Sequence, residues 1–331
     1  MGLKRIIRRT YEELSATVKI SKITSFREAL VTFFAKIDIQ VLSKNGYKET
    51  KRQANRLKCK HQIMMKYFRE TFKDYLEEYK ADYFTSLDED KSDTIWICWW
   101  QGIENAPDIV KICVNSIKKH CGNKKIIIID NSNYRKYVEI PQWVEEKKVK
   151  GIISSTHFSD ILRLFLLSTY GGLWLDATFF CVKNIEHIFE YDLWSIKRPD
   201  YLHCSIASGY FATYALRCNF EKRWIFKTIL DLYLHYWSVN DKQIDYLTLD
   251  YMFVLAQEID SNIRYEFQLI CNNNPRCDDL FKFMPEIFDN NNWKMLCEDT
   301  NLFKLSWKHT FPHKKKRKDT FYSKLIKGEL Y

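Results

Sequence analysis

A chain of 331 residues, 46% hydrophobic and 16% aromatic, can bury one large domain with an accessory segment or two modest domains. Its nine glycines and six prolines exclude a linker-rich or low-complexity protein. The formal charge of +10 is uneven: residues 1–80 carry 19 Lys and Arg against 9 Asp and Glu, residues 308–331 carry 8 against 2, and residues 81–307 carry 25 against 31.

A mildly acidic body with basic ends points to contact with an anionic surface, and nucleic acid and anionic lipid both fit that charge. A solvated basic face is the plainer alternative. None of the ten cysteines forms a C-x2-C pair and several lie in apolar runs, the usage of a reducing compartment, so no disulfide is expected between Cys271 and Cys277. No signal peptide is expected, because no apolar run follows the basic first ten residues. The most apolar stretch, 161–180, contains Arg163, Asp176 and a Gly-Gly break, so it does not read as a membrane span. A soluble or peripheral protein is expected.

In chain order, residues 1–90 read as helices. The stripe of 26–39 and the polar helix formers of 52–83, with Met64, Met65, Phe68, Phe72, Tyr75 and Leu76 at regular places, either pack on the body or rest at a membrane surface. Residues 87–93 form a charged linker. A buried strand is expected over 94–100, a turn at Gln101 and Gly102, a helix over 107–120 and a strand over 124–129. Strand, helix, strand at this spacing is a βαβ unit and implies a parallel sheet. A helical or loop segment covers 134–148. Ser159 then reads as a helix cap, Asp160 as the acid favoured in the first turn, and Ile161, Leu164, Phe165 and Leu167 as an apolar stripe. Asp160 and Arg163 share a face at i,i+3. Tyr170, Gly171 and Gly172 end the helix, and a short buried strand, 173–175, delivers Asp176 at its C-terminal end. That strand continues through 179–182. Further strands are expected over 192–198 and 203–210, and helices over 220–236 and 244–258.

The sequence D-x-x-R on a helix, the Y-G-G turn and the strand ending in Asp176 together resemble the capsular polysaccharide synthesis family, related to glycosyltransferase family 32 and more distantly to the large glucosylating toxins. The matching residues are Asp160, Arg163, Tyr170, Gly171, Gly172 and Asp176. The resemblance runs from about residue 95 to the C-terminus and is densest over 95–185. It implies an α/β, GT-A-like nucleotide-sugar-binding fold, Rossmann-like with a mixed central sheet and a helical N-terminal extension. The expected division is a basic helical segment over 1–90, a catalytic domain over 91–310 and a basic tail over 311–331.

The resemblance also implies roles. Trp99 would lie against the nucleotide base, with Gln101 beside it, although any Trp of this strand, Trp96 and Trp100 included, reads equally well as core. Asp160 and Arg163 would contact the ribose and sugar hydroxyls, with Gly171 and Gly172 at the same donor. Asp176 would hold Mn²⁺ or Mg²⁺ against the diphosphate. The second position of the usual D-x-D is Thr178 here, and a hydroxyl is a weaker ligand than a carboxylate. Lys304, Lys308 and His309 would close over the β-phosphate, or else lead into the basic tail at a membrane. Asp245 or Asp250 would face the donor sugar. The implied protein is a retaining hexosyltransferase. It would use a nucleotide sugar, expected to be uridine-linked, and extend a capsule or O-antigen glycan on a lipid carrier. Its expected place is the cytoplasmic face of the membrane, held by its basic ends. A catalytically inactive scaffold is the alternative kept open by Thr178. A nucleic-acid binder is the least favoured reading, since the basic groups sit at two ends of the chain and no nucleic-acid motif is present.

Overall fold

The computed structural model describes residues 3–44, 48–81, 90–199 and 202–330. Its N-terminal part is helical, as expected: α1 (Leu3–Ile23), α2 (Phe26–Lys44), α3 (Lys51–Thr71) and the short α4 (Lys73–Glu78). Thr50 starts α3 with a capping box, its hydroxyl accepting from the Gln53 N–H while the Gln53 side chain accepts from the Thr50 N–H. The predicted stripe of α3 is buried at Met64, Met65 and Phe68, and Phe72 lies buried where the chain breaks between α3 and α4. The helix expected over 52–83 is therefore interrupted, and its last two residues, like 87–89 of the linker, lie outside the described residues.

Next come β1 (Thr94–Cys98), α5 (Asp108–His120) and β2 (Lys125–Ile129), the expected βαβ unit, with the strands parallel and Thr94 opposite Lys125. After α6 (Gln142–Val149) and α7 (Ser155–Tyr170), β3 (Gly172–Leu175) joins the other edge of β1, also parallel. The chain then leaves this sheet for β4 (Phe179–Cys181) and returns as β5 (Leu193–Ser195) and β6 (Ala215–Cys218). Among the described residues the main sheet runs β2-β1-β3-β6-β5, with β6 antiparallel to both its neighbours. The remainder is α8 (Arg223–Val239), α9 (Thr248–Ile259), α10 (Ser261–Leu269), α11 (Asp279–Phe283), α12 (Asn290–Cys297), β7 (Leu302–Lys304), the small pair β8 (Lys314–Lys315) and β9 (Lys318–Asp319), and α13 (Phe321–Ile326). This is an α/β fold with a mixed central sheet and a helical N-terminal extension, as expected.

The period-2 geometry of the strands divides the core into two. Trp96 and Trp174 point to one face, against α3, α7, α8 and α9, while Ile95, Ile97, Leu173 and Leu175 point to the other, against α5, β4, β7 and α13. The C-terminal segment takes part in that second core through Phe321 and Leu325. Among the described residues no helix is long and apolar enough to cross a membrane.

Three expectations give way. The segment expected as a strand over 203–210 is a series of turns, because Ser208 and Gly209 adopt positive φ and Ser205 Oγ accepts from the Ala207 N–H. The strand that pairs with β3 on the side away from β1 is Ala215–Cys218 instead. Residues 179–182 do not prolong β3: β4 pairs with β7 in a separate two-stranded sheet, Phe179 opposite Lys304. The helix expected from 244 starts at Thr248, after a turn in which Asp245 Oδ1 accepts from the Leu247 N–H.

Candidate active site

The first turn of α7 starts earlier than the sequence suggests. Ser154 is the cap, its hydroxyl accepting from the His157 N–H. Ser159, expected there, lies inside the helix, donating to the Ser155 carbonyl and accepting from the Trp100 indole N–H. Asp160 and Arg163 therefore project from the second and third turns, 3.4 Å apart on one face. Gly171 ends α7 at φ 71°, its N–H donating to the Leu167 carbonyl. A Cβ on Gly172 would come within 2.6 Å of the Thr94 carbonyl and 2.7 Å of the Trp96 indole nitrogen. The two glycines thus let β3 approach β1 and β6. This corrects their expected place at a cofactor: they sit at the far end of β3 from Asp176, closed in by backbone.

Asp176, at the C-terminal end of β3, gathers the site. Its Oδ1 accepts from Arg163 Nη2 at 3.2 Å and the Trp174 indole N–H at 3.0 Å, and its Oδ2 accepts from Lys304 Nζ at 2.9 Å. The same ammonium donates to Thr178 Oγ1 at 2.6 Å. Lys304 is carried there by the β4–β7 ladder, and the Leu305 N–H donates to the Thr178 carbonyl just beyond it. The Asp176 side chain keeps 28% of its surface exposed, so this cluster opens to solvent.

Burial pushes the Asp176 carboxyl up, but Lys304 and Arg163 outweigh it and hold the group below its ordinary value. Asp160 is pushed up to about 7, by burial first, with the negative Asp176 and Asp250 adding to it and Arg163 opposing. Asp250, in the first turn of α9, is pushed up to about 6 by burial, partly offset by the Ser205 hydroxyl at 3.2 Å. Three carboxyls and Arg163 thus share one field. Arg163 is buried, stands over the Trp174 ring, and its Nε has no hydrogen-bond partner among the described residues. An orphaned buried donor of this kind marks a place where an acceptor fits.

The other expected residues divide. Trp96 and Trp100 are core, while Trp99 is half-buried and meets the exposed Trp307 edge-on, ring centres 5.7 Å apart. Gln101 is exposed at the neighbouring turn, its carbonyl accepting from the Asn105 side chain. The expected basic cluster is split. Lys304 reaches Asp176, whereas Lys308 and His309 are exposed on the following segment, His309 with its ring against Phe281 and Phe311. Asp245 does not face the donor side: it is sealed against Lys60 at 3.0 Å and Lys36 at 3.7 Å. Trp174 and Trp307 are not among the expected residues. A Trp two residues before a strand-end carboxylate shares its face, which is the signal that finds Trp174, while Trp307 has no signal beyond its place near the expected closing segment.

A family model described as "Capsular polysaccharide synthesis protein" matches residues 44–325. The chain belongs to the capsular polysaccharide synthesis family. This family member is also 28% identical over 110 residues to the O-glycosyltransferase PaGT of Phomopsis amygdali, covering 30% of this chain and 27% of that protein. It is 27% identical over 103 residues to the O-glycosyltransferase braB of Annulohypoxylon truncatum, covering 28% and 24%. The chain thus matches about a quarter of the length of these curated relatives. Among solved structures it is similar to WbbM, a bifunctional glycosyltransferase in its apo form, at 9% identity and TM-score 0.40, over 96% of this chain and 70% of that one. It is also similar to the PaToxG glycosyltransferase, at 19% identity and TM-score 0.34, over 63% and 85%.

The Mn²⁺ or Mg²⁺ expected on Asp176 and Thr178 meets an unsuitable donor set. Such ions take six oxygens, of which one or two come from protein carboxylates and the rest from water and substrate phosphates. Both Asp176 oxygens already accept from cationic side chains, and the Thr178 hydroxyl already accepts from Lys304. Among the described residues no three His, Cys, Asp or Glu side chains come together to hold an ion. The residues present do not fit a protein-held divalent cation.

Proposed function

We propose that this family member is a retaining glycosyltransferase that moves a hexose from a uridine-linked nucleotide sugar onto a growing surface polysaccharide carried on a lipid. The observation that carries the reading is the open cluster of Asp176, Arg163 and Lys304 at the C-terminal end of β3, where α/β sheets bind ligands. Lys304 and Arg163 offer charge-assisted donors to a diphosphate, and they oppose the charge that develops as it leaves. Asp160 and Asp250 accept from sugar hydroxyls, and Trp99 gives a flat face to the base. In this reading no carboxylate acts as a nucleophile, and the step is a front-face displacement. The bond from C1 to the phosphate oxygen breaks and the diphosphate leaves with the electron pair. The acceptor oxygen then bonds to C1, and its proton passes to the leaving phosphate.

The test is release of free nucleotide from a panel of uridine and guanosine diphosphate sugars by purified protein. Turnover of one donor, lost in Asp176→Ala, is expected. No turnover and no calorimetric binding of any donor would leave the scaffold reading in its place.

Basic ends suit an anionic membrane at which a lipid-linked acceptor resides. Apolar side chains exposed at helical spacing on α1 (Leu14 and Val18) and on α2 (Phe34, Ile37 and Val41) support the same reading. Co-sedimentation with anionic vesicles at low salt, weakened at high salt, is expected; no binding at low salt sinks this part.

A further inference from the structure

We propose that Lys304 takes the place of a divalent cation in this chain, so that a nucleoside diphosphate is held by the Lys304 ammonium and the Arg163 guanidinium and binds without metal. The inference rests on the donor reading above and specifies how that site meets its phosphates.

Residues i and i+2 at a strand end turn their side chains to one side, and in a D-x-D pattern those two positions supply oxygen to an ion. Here the same two positions, Asp176 and Thr178, both supply oxygen to one Nζ, at 2.9 and 2.6 Å. That ammonium is not a stray surface group. Its residue is fixed in register opposite Phe179, and its Nζ lies 5.6 and 5.5 Å from the centres of the Phe179 and Tyr214 rings, whose faces attract cations. A divalent ion brought to Asp176 would meet two fixed positive groups, Lys304 on Oδ2 and Arg163 on Oδ1, and no second carboxylate at position 178 to offset them. Those two groups together carry the two positive charges the ion would have brought. Arg163 also retains its unpartnered Nε for a further acceptor. Phosphate oxygens are good acceptors for both: Arg donates from a planar fork, Lys acts as a compact charge.

Two measurements decide it, and neither needs turnover. In calorimetry of wild-type protein with UDP and GDP, the bound nucleotide is expected to have the same Kd, within about threefold, in EDTA and in Mn²⁺. Lys304→Met is expected to weaken it at least about tenfold in EDTA, the loss of one charge-assisted contact. In electron paramagnetic resonance of Mn²⁺ with protein alone, wild type is expected to leave the ion free. The double variant Lys304→Ala/Thr178→Asp, which removes the ammonium and rebuilds D-x-D, is expected to take it up. Nucleotide binding by wild type that requires metal, or Mn²⁺ uptake by wild type that Asp176→Asn removes, overturns this inference and leaves the donor reading standing. Silence of both nucleotides in both buffers overturns the donor reading and this inference together. The wild-type comparisons hold whether or not the variants fold.

Discussion

Asp245 and Asp176 are each flanked by two cationic side chains, yet one cluster is shut and the other open. Asp245 is 2% exposed and lies between Lys60 and Lys36, which come from α3 and α2. Its partners are spent internally as well: Lys36 also donates to the Ile244 carbonyl and to Glu13, and Asp245 Oδ1 accepts from the Leu247 N–H. Burial raises the Asp245 carboxyl, but Lys60 and Lys36 outweigh it and hold it at about 2. Asp176 likewise has two cations, Arg163 from α7 and Lys304 from β7, but more than a quarter of its side chain faces solvent. An ion triad alone therefore says little about function. Exposure, neighbouring carboxyls with raised pKa values and an unspent donor separate a site from a pin that ties the N-terminal helices to the body.

Breaking each cluster in turn sharpens that contrast. Asp245→Ala leaves Lys60 buried without its counter-charge and is expected to cost about 3–5 kcal/mol of stability. Denaturant titration reads that loss, while nucleotide affinity per folded molecule stays at the wild-type value. Part of this contribution is pH-dependent. The folded pKa lies below the unfolded one, so the stabilisation is present above about pH 4 and is lost as pH falls towards 2. Asp176→Ala should do the opposite, lowering donor hydrolysis about 10²–10³-fold with a smaller change in melting temperature. Unchanged turnover in this variant would erase the distinction between the two clusters.

Asp160→Asn probes the open site through its titration. The folded pKa of about 7 lies above the unfolded value, so the contribution of this group is fully present below about pH 4 and is lost as pH rises through 7. The variant is expected to be more stable than wild type by about 4 kcal/mol at pH 8 and equal to it near pH 4, followed by thermal melts across that range. A constant difference at all pH values would show that the Asp160 charge is not the cause. Trp99→Ala is expected to have the smallest effect, about 1–2 kcal/mol of nucleotide affinity with no pH dependence, read by calorimetry.

Local pattern made much of this architecture legible. The βαβ unit, α7 and the strand delivering Asp176 follow from apolar spacing and from Tyr170, Gly171 and Gly172, all within a short window of chain. The helix cap is ambiguous in sequence because Ser154 and Ser159 are both good caps, and it is the Ser154 hydroxyl that meets an N–H three residues on, that of His157. The strand next to β3 is not legible in the sequence, because β6 is four residues long and carries the buried Arg217, whose guanidinium donates to the Phe189 carbonyl. Asp245 looked like a donor contact because its partners Lys36 and Lys60 lie far away in the chain, and nothing local reveals them. Lys304 was suspected for its charge, but its place beside Asp176 depends on strand pairing that periodicity does not encode.

That pairing has a consequence for how the protein comes into being. Asp176 and Lys304 are 128 residues apart, and α8 through α12 lie between them. A growing polypeptide can complete β1, β2, α7 and β3 long before the ribosome reaches β7. Until then Asp176 and Thr178 lack the ammonium that bridges them, and the face of β4 that takes Phe303 stays open. Formation of the Asp176–Lys304 contact is thus a late event in biosynthesis. Until β7 arrives, Phe179 and Phe180 have no strand to pair with in the β4–β7 ladder.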